Sequence, residues 1–279
     1  AASTRDFFAY RDTRENWAVR EGLGALAEAY GSGPPIELST PATSIRWGGS
    51  RLEIETPKGA ISAAAVVITV STGVLAAETI RFVPALPDWK REAIAGLPMG
   101  HANKMAFRFD RDVFGVPPHS AAHLLSGTRA TSLFQLRAFG WEVAVGYVGG
   151  KLAADLEREG ESALIEFGLE HLKSMFGGAI ERHIVAATAT GWDAEPFIRG
   201  AYSAALPGEA PRRATLAAAI DDRLFFAGEA CHAEFFSTAH GAYLSGVGAA
   251  RAAIASIGGK NTGLASMRRR AHGAEFTAP

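Results

Sequence analysis

Leu224-Phe225-Phe226-Ala227-Gly228-Glu229-Ala230, followed after a short gap by Thr238-Ala239-His240-Gly241-Ala242-Tyr243-Leu244-Ser245-Gly246, is the stretch on which the reading of this chain turns. The apolar run Leu224 to Ala227, closed by a glycine, predicts a short buried strand, and the small-residue run from about His240 to Ile257 predicts a helix. A strand ending in Gly228-Glu229 lets backbone come close to a bound group. A helix starting near Thr238 aims its first amides and the positive end of its dipole at an anionic or electron-rich ligand. The same residues also fit a glycine-rich turn whose small side chains serve packing alone.

Working outward, the run Ala64 to Val70 is nearly continuous in β-branched residues, which predicts a strand covered on both faces inside an α/β layer. Upstream, a helix over Gly24 to Tyr30 is ended by Gly31-Ser32-Gly33-Pro34-Pro35, and a short strand is expected from Ile36. Ser44 to Trp47 and Arg51 to Thr56 read as two strands joined by Gly48-Gly49-Ser50, with Pro57-Lys58-Gly59 as the next turn. Asp88 to Leu97 reads as a helix with Asp88 as its N-cap, and Lys104 to Phe109 as a strand. Further strands are expected between Phe134 and Val148. Leu164, Phe167, Leu172 and Met175 set a helix over Ala163 to Phe176, provided Gly168 is tolerated within it.

With 279 residues, 48% of them hydrophobic, the chain can bury a substantial core. A formal net charge of -1 argues against nucleic acid and anionic membranes as partners, so small-molecule chemistry is the expectation. Cys231 is the only cysteine, which excludes an intramolecular disulfide and a cysteine-based metal cage. No metal-ligand spacing stands out among the eight histidines. No run reaches the roughly 20 apolar residues of a membrane span and Ala1 to Tyr10 is too polar for a signal peptide, so a cytoplasmic protein is expected. The tail from Gly258, with Arg268-Arg269-Arg270, reads as solvated disorder.

Four blocks in order carry a resemblance: Ala65 to Leu75 running into Phe82-Val83-Pro84-Ala85-Leu86-Pro87, then Leu97-Pro98-Met99-Gly100 with Lys104, then Trp192 to Ser203, then the C-terminal stretch quoted first. Together they resemble the flavin-containing amine oxidases: monoamine, polyamine and L-amino-acid oxidases and the histone lysine demethylases. The resemblance runs from about Trp17 to Ile257. It implies an α/β, incomplete two-domain FAD-binding fold, with FAD-binding segments at 17–102 and 196–257, interleaved with a mixed-sheet substrate domain at 103–195, and a tail at 258–279. It implies oxidation of an amine or amino acid to the imine by hydride loss to FAD, with O2 reoxidising the flavin and releasing hydrogen peroxide.

By the same resemblance Gly228 and Glu229 contact the ribityl-pyrophosphate region, Thr238 and Ala239 lie at the isoalloxazine, and the backbone of Ala42 contacts the adenine. Lys104 matches a lysine that holds a water near flavin N5. Read alone, without those blocks, a strand-end lysine reaching solvent is the favoured reading. Trp192 and Tyr202 match an aromatic beside the flavin and one wall of an aromatic cage; read alone, core aromatics are the commoner outcome. Two departures matter. Ala201 stands where monoamine oxidases carry the covalent flavin link, implying noncovalent FAD, and Thr238 replaces the opposite cage wall, leaving the cage half open as in the histone demethylases.

Gly22-Leu23-Gly24-Ala25-Leu26-Ala27 fits the G-x-G-x-x-A form of a dinucleotide fingerprint, yet Gly31 to Pro35 breaks the chain too early for a β-α-β unit, and Glu37 opens the next expected strand instead of closing one. The fingerprint is therefore rejected there, and the true one is expected upstream of Ala1. A separate N-terminal chain or a second copy of this one is the expected partner besides substrate and O2. The alternative reading is a catalytically inert remnant or assembly subunit of a split flavoprotein.

Overall fold

The computed structural model describes residues 2–15, 17–124 and 132–258. Beyond Gly258 the expected tail, with its arginine run, lies outside the described residues. The chain divides into two compact units, each with its own apolar core. The first gathers the described residues of Ala1–Asp12, Glu37–Pro98 and Ser203–Pro279; the second consists of Thr13–Ile36 and Met99–Tyr202. The segment 17–36 thus falls in the second unit, not with the stretch to which the resemblance had joined it. Both units mix helices with sheet, in keeping with the α/β class expected.

In the first unit a four-stranded mixed sheet runs in the order Gly59–Ala63, Leu52–Thr56, Ser44–Arg46, Arg81–Val83, the last pair parallel and the others antiparallel. Alternation seats Ile45 opposite Ile54 and Ile54 opposite Ile61. A separate two-stranded parallel sheet joins Val66–Ile68 to Leu224–Phe226. Leu52, Leu97, Leu216, Leu224 and Phe226 are buried in the core that both sheets share.

Three expectations are corrected here. No strand begins at Ile36, where Ile36 and Leu38 are exposed and pairing starts only at Ser44. The β-branched run gives three strand residues instead of seven, because its partner strand is itself three residues long; Val66 and Val67 are only half-buried. The helix Asp88–Gly96 takes Pro87 at its N-cap, and Asp88, inside the first turn, pairs with Arg91.

The second unit is built on a five-stranded antiparallel sheet in the order Ile184–Ala189, Ala102–Phe109, Val143–Gly149, Ser132–Leu136, Ser120–Leu124. Period-2 alternation splits it into two faces. Met105, Phe107, Phe109, Phe134 and Leu136 are buried in one core with residues of the helices Gly150–Glu159 and Glu161–Phe176. Lys104, Ala106, Arg108, Gln135, Val143, Val145 and Tyr147 line a groove of about 1540 Å³ on the sheet's other face. Trp17 to Leu23 line the same groove, with the Arg20 guanidinium 5.5 Å from the Trp141 ring centroid, which explains why this segment belongs to the second unit. The following helix, Leu23–Gly31, has no strand before it among the described residues, whereas the rejected fingerprint required one.

Candidate functional site

Within the first unit the strands Val66–Ile68 and Leu224–Phe226 run parallel and end side by side, the Ala227 amide donating to the Ile68 carbonyl at 2.9 Å. Ligands of parallel α/β sheets bind beyond the carboxyl ends of such strands. Gly228 turns the chain there with φ 132, a conformation that a side chain would strain. Its amide donates to Ser245 Oγ at 2.9 Å, which ties the turn to the helix Ala239–Gly258. Glu229 is held hard: Oε1 accepts from the Ser203 amide at 2.8 Å, and Oε2 from Ser203 Oγ and the Ser237 amide, each at 2.7 Å. A carboxylate has about four acceptor positions, so roughly one remains for a ligand hydroxyl.

The helix start is fixed as tightly. Thr238 Oγ1 accepts from the Gly241 amide at 3.0 Å and donates to the Phe235 carbonyl at 2.6 Å. Gly241 is obligatory, since a Cβ there would lie 1.8 Å from the Phe235 oxygen. Ala239 and His240 are exposed, and the His240 ring meets that of Phe235 edge-on at 4.9 Å between centroids. Ala42 is half-buried just before the strand Ser44–Arg46. Behind Ser203 sits a cluster that the sequence did not disclose: Arg213, 1% exposed, donates to both carboxylate oxygens of Asp6 at 2.8 and 2.7 Å and to Ser203 Oγ at 2.9 Å. Its guanidinium lies 3.9 Å from the Phe236 ring centroid.

The second unit brings two expected residues together. Lys104 and Trp192 line the same groove, and Tyr147, paired with Lys104 in the sheet register, offers its ring 5.3 Å from the ammonium. Lys104 is exposed on the groove face. Thr190 spans the gap: its amide donates to the Lys104 carbonyl and its hydroxyl accepts from the Lys104 amide, both at 2.9 Å. Tyr202, also exposed, is placed by backbone. Its carbonyl accepts from the Gly100 amide at 2.7 Å, and the Ala201 amide donates back to the Gly100 carbonyl at 2.9 Å. Gly200 permits this closeness, because a Cβ on it would stand 2.3 Å from that of Met99.

The model of the family "flavin containing amine oxidoreductase" matches residues 2–254. This chain belongs to that family. Among its relatives, polyamine oxidase 4 of Oryza sativa subsp. japonica is 32% identical over 241 residues, covering 82% of this chain and 47% of the relative. A probable polyamine oxidase 4 of Arabidopsis thaliana is 37% identical over 192 residues, covering 67% and 37%. Lysine-specific histone demethylase 1 homolog 1 of Oryza sativa subsp. japonica is 31% identical over 233 residues, covering 81% and 27%. The chain spans less than half the length of each of these relatives. Membership of this family implies a flavin, and the first unit's residues fit one. Gly228 turns without a side chain at the ends of two parallel strands, and Ala239, small and exposed, opens the long helix, so neither residue sets a bulky side chain against a planar group. Among the described residues no helix is long and apolar enough to cross a membrane, and no cluster of three His, Cys, Asp or Glu side chains could hold a metal.

Proposed function

We propose that this chain is the flavin- and amine-facing part of an FAD-dependent oxidase that converts an amine or amino acid to its imine, with O2 as the final acceptor and hydrogen peroxide as product. A flavin held here supplies the hydride acceptor. Gly228, Glu229, Thr238 and Ala239 of the first unit hold it, Glu229 through its remaining lone pair and Thr238 by keeping the helix start in shape. The backbone of Ala42 meets the adenine. Ala201 offers no attachment point, so the cofactor is noncovalent and is released by denaturant.

On the amine side, Lys104 positions a water and moves its proton, while Trp192 and Tyr202 orient the neutral amine and exclude bulk water. The carrying observation is that Lys104 and Trp192 line one groove and are joined through Thr190. Polyamines are the first substrates to try, because two of the relatives are polyamine oxidases by name. The test is peroxide release from spermine by the purified chain with FAD, alone and with an upstream polypeptide. Lys104→Met should lower turnover by about 10²-fold or more while flavin absorbance is retained. Flavin that binds but is reduced by no amine or amino acid would count against the oxidase and favour the assembly subunit. That second reading draws on the many large apolar side chains left exposed, Trp17, Phe7 and Phe8 among them.

A further inference from the structure

We propose that Asn103, oriented by Glu157, is the positioning residue that fixes Trp192 beside Lys104, a role that rests on reading those two residues as the amine site. Asn103 is 2% exposed, on the helix-covered face of the sheet, one residue before Lys104 on the groove face. Its Nδ2 donates to Glu157 Oε2 at 2.6 Å. Its Oδ1 accepts from Thr190 Oγ1 at 2.9 Å and from the Trp192 amide at 3.4 Å. Glu157 Oε1 in turn accepts from the Ala194 amide at 2.9 Å, so one carboxylate grips both the amide of Asn103 and the chain just past Trp192.

The chemistry admits one orientation. An ionised carboxylate only accepts, so Nδ2 must face Glu157, and Oδ1 is then obliged to face the two donors on the Trp192 segment. A flipped amide would set oxygen against oxygen and leave the Trp192 amide without its acceptor. Gly191 belongs to the same device, since a Cβ there would stand 3.3 Å from Glu157 Oε1. Thr190 completes it by bonding the Lys104 backbone and Asn103 at once. Lys104 and Trp192 therefore share a common mount, and a change in Asn103 moves one relative to the other.

The donor pattern can be reversed without changing total charge. Asn103→Asp alone places two carboxylates face to face and should break the mount. Asn103→Asp with Glu157→Gln restores each bond, the new amide donating toward position 103 while its oxygen still accepts from Ala194. The experiment is hydrogen–deuterium exchange over 190–194 in the full chain with FAD, paired with spermine turnover. Asn103→Asp should speed exchange of the Trp192 and Ala194 amides by about tenfold or more, and kcat should fall in like proportion. The double swap should bring both back. Unchanged exchange in Asn103→Asp, or a double swap that recovers neither protection nor turnover, overturns the proposal. Should the single variant not fold, a folded and protected double swap supports it, and an unprotected one overturns it. Lys104→Met and Trp192→Phe that turn over like wild type would instead remove the reading of these two residues as the amine site, and the exchange data would still judge Asn103.

Discussion

Lys90 is fully buried, and its ammonium donates to the carbonyls of Thr215, Leu216 and Ala218 at 3.2, 2.6 and 2.6 Å, just where the helix Arg212–Ala217 ends. A cation at a helix C-terminus complements the dipole and takes up orphan carbonyls. The Phe226 ring, 3.9 Å away, adds a further favourable face. Burial nevertheless lowers its pKa to about 8, and burial raises that of neighbouring Cys231 to about 12. Below pH 8 the lysine is protonated folded and unfolded, so stability does not depend on its titration. Between pH 8 and 9 the unfolded chain keeps a proton that the folded chain has released, so stability rises, by about 1 kcal/mol. Above pH 9 the unfolded thiol loses a proton that folded Cys231 retains, which lowers stability and offsets the lysine. Urea unfolding from pH 7 to 10 should therefore show a rise and then a plateau. Lys90→Met should be level up to pH 9 and then decline; the wild-type profile in that variant would remove this account.

Gly168 decides how the helix Glu161–Phe176 meets the strand Ala102–Phe109. A Cβ on it would lie 2.9 Å from two ring atoms of Phe107 and 3.0 Å from Met105 Sδ, so helix and sheet touch where a side chain is missing. Alanine would gain about 1 kcal/mol of helix propensity, while overpacking costs about 1–3 kcal/mol, and the second effect should win. Gly168→Ala is thus expected to lower the urea midpoint, and adding Phe107→Leu to recover part of it; a midpoint raised by Gly168→Ala alone would mean that the contact is slack. The helix itself was legible from Leu164, Phe167, Leu172 and Met175, as was the buried strand Leu224–Phe226 from its uninterrupted apolar side chains. The strand Ile184–Ala189 was not, because Ile-Val-Ala-Ala-Thr-Ala has no period-2 contrast and its pairing comes from residues some 80 positions upstream. Helix Gly150–Glu159 was missed for its glycine start and charged surface. Lys104 and Trp192 could be picked out by their place in ordered blocks. Asn103 could not: beside a strand it reads as one more polar flank, and its partner Glu157 is 54 residues away on a charged helix.

At the scale of the molecule, a near-zero net charge coincides with large apolar side chains in solvent. The formal charge is -1 with an isoelectric point near 6.8, and Trp17, Phe8 and Phe7 are 87%, 84% and 77% exposed. Tyr30, Leu38 and Ile254 are likewise exposed. Scattered apolar residues are normal on a protein surface, but this many with little charge repulsion to keep copies apart favours association. Raising the pH to about 9 makes the chain more negative without uncovering further apolar surface, so it should disperse what hydrophobic contact assembled. Sedimentation velocity at low salt is expected to show oligomers near pH 7 that shift toward monomer at pH 9, and added salt at pH 9 should bring them back by screening. Trp17→Ser with Phe8→Ser should favour the monomer at pH 7 as well. Because neither side chain is buried, the fold should survive the exchange. If that double variant associates as strongly as the parent, the contact lies elsewhere on the surface; if the parent is monomeric at pH 7, these side chains are too dispersed to form a sticky face.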